Sequence, residues 1–266
     1  MKRILTAAFL APLAVYLIFG APFVFTQIAV AVVTLLCGLE FRNIAAKFNV
    51  HPPSYTALGI GLCLLLLPLP YAFPVMMAGT LLLLVLMLLR SSELNLSLPS
   101  AGAALLGILY IFGSWKTGLL LIRWDPHWLM MALSINWIGD SAAFFVGRLI
   151  GKHKLAPAIS PAKSWEGAIG SLVISAAVAT AYIRWFSTET SLPMAIAIAC
   201  AANIAGQLGD LAESALKRGA GVKDSGTMLP GHGGWLDRLD SSLFSMPAVY
   251  VILVTAQLLR DTPLWP

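Results

Sequence analysis

The chain has 266 residues, 59% of them hydrophobic and only 11% charged, with a formal net charge of +5 and a mean hydropathy of +0.84. Soluble globular domains carry about a quarter of their residues as charges, so a water-soluble fold is excluded and a polytopic membrane protein is expected. Cys37, Cys63 and Cys200 lie singly in apolar runs, without metal-like or paired spacing, and read as small buried hydrophobes.

Apolar runs fall near 4–20, 22–41, 56–69, 71–89, 100–121, 127–147, 167–186, 192–212 and 242–259. Most are long enough to cross a hydrocarbon core, which takes roughly 17–25 helical residues. They show no two-residue alternation, so they indicate helices rather than barrel strands. The expected fold is all-α, with about nine transmembrane helices, the third run being the shortest. Lys2 and Arg3 ahead of the first run could also mark a cleavable signal peptide, but Phe19-Gly20-Ala21 is a poor cleavage site and a retained span is expected.

Residues 1–125 read as hydrophobic hairpins joined by short turns such as Pro68-Leu69-Pro70, and their acids are only Glu40, Glu93 and Asp125. Eight acids lie between Asp140 and Asp240, so the chemistry is expected in 126–266, within one continuous membrane domain. With a cytoplasmic N-terminus and nine alternating spans, the inner loops collect thirteen Lys and Arg residues and the outer ones keep Lys116, Arg123, Arg184 and Arg260. That is the asymmetry of the positive-inside rule. It places 148–166 and 213–241 on the cytoplasmic face of the membrane, where their positive charge suits an anionic headgroup or nucleotide.

Asn136 and Asp140 are four apart on the sixth span and share a face. An intramembrane carboxylate costs about 2.5–3.5 kcal/mol on insertion scales, so it faces a cavity or a partner; a contact that only holds helices together is the alternative. In Ser160-Pro161-Ala162-Lys163, Ser followed by Pro looks like a helix N-cap with Lys163 one turn inside, a geometry that serves capping and anion binding alike. On the eighth span Asp210, Ser214 and Lys217 follow at i, i+4 and i+7, with Glu213 at i+3, on one helical face that Asn203 extends into the membrane.

The segment 214–240 concentrates charge: Lys217, Arg218, Lys223 and Arg238 with Asp224, Asp237 and Asp240, and six glycines between Gly219 and Gly234. A Gly-rich path offers backbone N–H groups that can wrap phosphate oxygens, although the P-loop spacing is absent. Paired carboxylates beside cations suggest Mg²⁺, which takes one or two carboxylates plus substrate phosphates. His232 between glycines reads as a donor to phosphate or a structural contact, with a metal-ligand role as the alternative.

These residues closely resemble the signature of bacterial phosphatidate cytidylyltransferases, also called CDP-diacylglycerol synthases. The pattern is met by Ser214, Leu216, Lys217, Arg218, Lys223, Asp224, the run Leu229-Pro230-Gly231-His232-Gly233-Gly234, and Asp237, Arg238 and Asp240. Asp140, Phe144, Gly147, Arg148 and the 160–167 segment agree with it as well. Trp235 stands where the family usually has an aliphatic residue, and Ala162 where Lys is common.

The resemblance implies a Mg²⁺-dependent nucleotidyltransferase making CDP-diacylglycerol and pyrophosphate from CTP and phosphatidate. It would lie in the membrane lipid of the inner membrane with its active site on the cytoplasmic side, act as a homodimer and have no nucleic-acid partner. Asp210 and Asp237 are then the expected metal ligands, with Asp224 and Asp240 as further ligands or orienters of basic side chains. Lys217, Arg218, Lys223 and Arg238 would hold the triphosphate, Ser160 and Lys163 either phosphate group, and Asn136, Asp140, Ser214 and His232 complete the substrate site. The competing expectation is a cation-coupled transporter, with Asp140, Asp210, Asn136 and Asn203 lining an ion path.

Overall fold

In the computed structural model, residues 2–89, 94–229, 231 and 233–261 are described, with side chains between 10 and 260. Helix α1 spans Lys2–Phe19, α2 Phe23–Lys47, α3 Ser54–Leu66, α4 Ala72–Leu89, α5 Ser97–Gly107 and α6 Ser114–Trp124. A π-helical stretch, Ile108–Gly113, joins α5 to α6. Then come α7 (Pro126–Ile150), strands β1 (Lys154–Ala156) and β2 (Ser160–Ser164), α8 (Trp165–Phe186), α9 (Leu192–Gly219), the single turn α10 (Leu236–Leu239) and α11 (Ser242–Asp261).

Seven helical stretches among the described residues are long and apolar enough to cross a membrane. The all-α polytopic expectation holds, with seven such stretches among the described residues where about nine spans were expected. Helix α3 has only 13 residues, short of the roughly 17–25 that a span takes, whereas α1 runs over 18. Pro68 and Pro70 stop the chain from continuing α3. The carbonyls left open at the end of α3 are met by the buried Lys116, whose Nζ donates to Leu65 O at 3.1 Å and also to Leu67 O.

The chain forms two compact units, residues 1–116 with 216–239, and residues 117–215 with 240–266. In the first, Ile60, Leu64, Leu83, Ala104 and Ile108 form one cluster of the core. Phe112 from the π-helical stretch fills space left by small residues: a Cβ on Gly61 would overlap its ring, and one on Gly38 would lie 3.5 Å from it. Lipid is as apolar as these side chains, so close packing and dispersion hold them together. In the second unit α7 and α8 pack along much of their length. Gly139 against Ser171 and Gly170 against Val146 let the backbones approach.

Large apolar side chains such as Phe73, Leu88, Leu149 and Trp185 are more than two-thirds exposed on helix surfaces, as lipid contact requires. Cys37 is buried, but Cys63 is exposed, which corrects the expectation of three buried thiols. A thiol behaves as a small hydrophobe, and a lipid-facing position suits it as well as a core.

Candidate active site

In the second unit the segment after α7 turns back on itself. Strands β1 and β2 pair antiparallel, with Lys154 opposite Ser164 and Ala156 opposite Ser160. Ser160 therefore begins a strand and does not cap a helix. The cap is Ser164, whose Oγ accepts from Gly167 N at 3.2 Å to open α8. The expected Ser-Pro cap fails because ladder pairing keeps 160–164 extended, and Lys163 leaves the strand sideways rather than from a helix turn. Its Nζ donates to Asp210 Oδ2 of α9 at 2.5 Å, with side chains 29% and 26% exposed. Ser214, one turn further along α9, donates to Asp210 Oδ1 at 3.3 Å.

Asn136 and Asp140 share α7 but not an environment, since Asn136 is buried and Asp140 exposed. Asn136 Nδ2 donates to Ala132 O at 3.1 Å, Ser245 Oγ at 3.0 Å and Ser242 Oγ at 3.4 Å, tying α7 to α11. Its Oδ1 lies against Gly206 of α9, where any Cβ would collide with it. Asn203 of α9 donates to Ser171 Oγ at 3.1 Å and accepts from Gln207 at 2.6 Å. Asp240 precedes α11; its Oδ1 accepts from Ser241 N at 2.7 Å, and its carbonyl oxygen would lie 2.7 Å from a Cβ on Gly209, the neighbour of Asp210.

In the first unit the signature is organised around buried carboxylates. Lys217, near the end of α9, donates to Asp237 Oδ1 at 2.6 Å, with side chains 10% and 5% exposed. Ser225 N donates to both Asp237 oxygens, at 3.1 and 2.9 Å, and Gly234 N donates to Oδ2 at 2.8 Å. Burial pushes the Asp237 carboxyl up. The hydrogen bonds from Lys217, Gly234 and Ser225, with the Lys217 charge, outweigh that effect and hold it below the ordinary carboxylate range.

The Gly-rich loop thus differs from expectation. Several of its N–H groups wrap the protein's own carboxylates, where phosphate oxygens were expected. Gly233 has φ +78°, and a Cβ there would overlap Asp237 Oδ2. Glycine is required on both counts.

The second carboxylate is Glu40 of α2, a residue that sequence reasoning passed over. It is 3% exposed and accepts from Ser225 Oγ at 2.9 Å, Trp235 N at 3.0 Å and Leu236 N at 2.9 Å. A lone acid inside the apolar run 22–41 was the available signal, by the same cost argument applied to Asp140.

Arg218, Lys223, Asp224 and Arg238 are exposed on this frame. His232 lies outside the described residues. Among those described, no group of three or more His, Cys, Asp or Glu is placed to hold a metal alone. Mg²⁺ needs less, since phosphates and water can complete its shell. Asp210 fits that requirement, being partly exposed with acceptor capacity beyond Lys163 and the long Ser214 bond. Asp237 fits less well, because four donor contacts fill the roughly four acceptor positions of a carboxylate.

Residues 1–256 match the model of the cytidylyltransferase family. Proteins named phosphatidate cytidylyltransferase are similar: one from Staphylococcus haemolyticus (strain JCSC1435) is 40% identical over 149 residues, covering 56% of this chain and 55% of that protein. One from Staphylococcus aureus (strain COL) is 43% identical over 128 residues, covering 48% and 49%. The chain spans about half the length of the relatives it matches. None of these matches supports the transporter alternative. With the family match running over nearly its whole length, the chain belongs to the cytidylyltransferase family.

Proposed function

We propose that this chain transfers the cytidylyl group of CTP to phosphatidate, giving CDP-diacylglycerol and pyrophosphate. A phosphate oxygen of phosphatidate, already anionic near neutral pH, forms a bond to the α-phosphorus of CTP. The bond from that phosphorus to the oxygen bridging to the β-phosphate breaks, and pyrophosphate leaves with the electron pair. No protein nucleophile is needed, so the side chains position the reactants and neutralise charge.

One observation carries the reading within a cytidylyltransferase: Asp237 binds Lys217, Ser225 and Gly234 into a fixed frame on which Arg218, Lys223 and Arg238 are exposed. These three cations hold the triphosphate, and Lys217 acts through the frame. Lys163 engages a phosphate group and Asn136 serves helix packing. Mg²⁺ is the proposed cofactor, which Asp210 would hold as first ligand with Asp240 available as a second; when bound it would draw charge from the phosphates. The cation asymmetry supports a reaction on the cytoplasmic side of an inner membrane.

The test is reconstitution of the purified chain in liposomes containing phosphatidate, with radiolabelled CTP outside and inside. Label entering lipid with release of pyrophosphate is expected. Ion flux without labelled lipid would overturn the reading in favour of a transporter.

A further inference from the structure

We propose that Glu40 is a positioning residue for the nucleotide-binding loop, which makes the N-terminal half of the chain part of the catalytic apparatus as well as a membrane scaffold. The loop's ligand rests on the nucleotide-transfer reading above; its geometry does not. Glu40 is buried on α2, and its three acceptor contacts all come from the loop, through Ser225 Oγ, Trp235 N and Leu236 N. None of these donors belongs to another membrane-spanning helix, so the contacts order the loop and do not tie helix to helix.

The fit is close on two sides. A Cβ on Gly226 would lie 2.7 Å from Glu40 Oε1, and one on Gly234 would overlap Oε2 and Ser225 Oγ. Ser225 is held twice, its hydroxyl by Glu40 and its amide by Asp237. Lys223 and Asp224 lead directly into that anchored residue, and Arg238 follows directly after Leu236, whose amide Glu40 holds, and Asp237, whose carboxylate Lys217, Ser225 and Gly234 hold. The loop's exposed charges are therefore carried by backbone that Glu40 and Asp237 fix together. An ionised carboxylate only accepts, which suits three converging donors.

Glu40→Gln keeps the shape and turns one acceptor into an NH₂ group, so that a buried donor faces another donor. Two measurements on the detergent-purified full chain test the proposal: hydrogen exchange of peptides covering 222–238, and steady-state kinetics with each substrate varied in turn. In E40Q, exchange should quicken in 222–238 and not in the other helices, and the KM for CTP should rise about tenfold or more, the scale of one unpaired buried donor. The KM for phosphatidate should stay within about twofold, since the loop is not its site.

A fall in kcat with both KM values unchanged would mean only a smaller folded fraction and would overturn the proposal, as would unchanged exchange. Faster loop exchange with no turnover by the unaltered chain would sink the nucleotide-transfer reading and still support the positioning of the loop. Should E40Q not fold, Ser225→Ala removes one of the three donors. It should give a smaller rise in the CTP KM, and an unchanged KM would count against Glu40.

Discussion

Asp237 shows what a single residue does here. Its carboxylate is buried against Lys217, and removing one partner of such a pair leaves the other as an uncompensated charge. Asp237→Asn should therefore destabilise the detergent-solubilised chain by about 3–5 kcal/mol, read as a lower melting temperature, and abolish CTP turnover. The pH dependence follows from the same contacts. The folded pKa is depressed, so the stabilisation is fully present above the unfolded value, about 4, and is lost as the pH falls through the folded pKa. The acid side of the melting-temperature profile should fall in the unaltered chain and be flatter in D237N. Asp210 leads to a different expectation. Asp210→Asn should leave the melting temperature nearly unchanged, because its pair with Lys163 is partly exposed. It should shift the Mg²⁺ concentration needed for half-maximal turnover upward, and an unchanged Mg²⁺ response would remove Asp210 from the metal site.

Elements differ in how far their residues constrain them. Gly233 has a positive φ beside Asp237, so Gly233→Ala meets both backbone strain and a steric clash. It should lower CTP turnover by at least tenfold, a fall of the order produced by about 1.4 kcal/mol. Gly102 in α5 has open space where its Cβ would be. Gly102→Ala should raise stability by about 0.5–1 kcal/mol, read as a higher melting temperature with unchanged turnover. The β-hairpin before α8 shows where sequence reasoning at this scale misleads. Ser160-Pro161 and Ser164 both precede an apolar run, and either could cap it; pairing of 160–164 with 154–156 decides for Ser164. That choice depends on a partner strand, which local propensity does not contain.

At the scale of the whole chain, residues 216–239 group with 1–116 and not with the rest of the C-terminal half. Residues 126–266 expressed alone would leave Ser225, Trp235 and Leu236 without their buried acceptor Glu40. That fragment should fail to give a monodisperse peak on size-exclusion chromatography in detergent. Recovery of a folded, CTP-binding fragment would refute the grouping.

The membrane character, the helical class and the family signature in 214–240 were legible in the chain itself. Hydropathy over a span and the order of charged residues are one-dimensional properties, and they carry directly into helices and a signature segment. Glu40 was not legible, because its meaning comes from Ser225, Trp235 and Leu236, more than 180 residues away. Nor was it legible that the glycine loop wraps two carboxylates of the protein itself. Hydrogen-bond donors are the same groups whether they face phosphate or a side chain, so only the folded position of the acceptors assigns them.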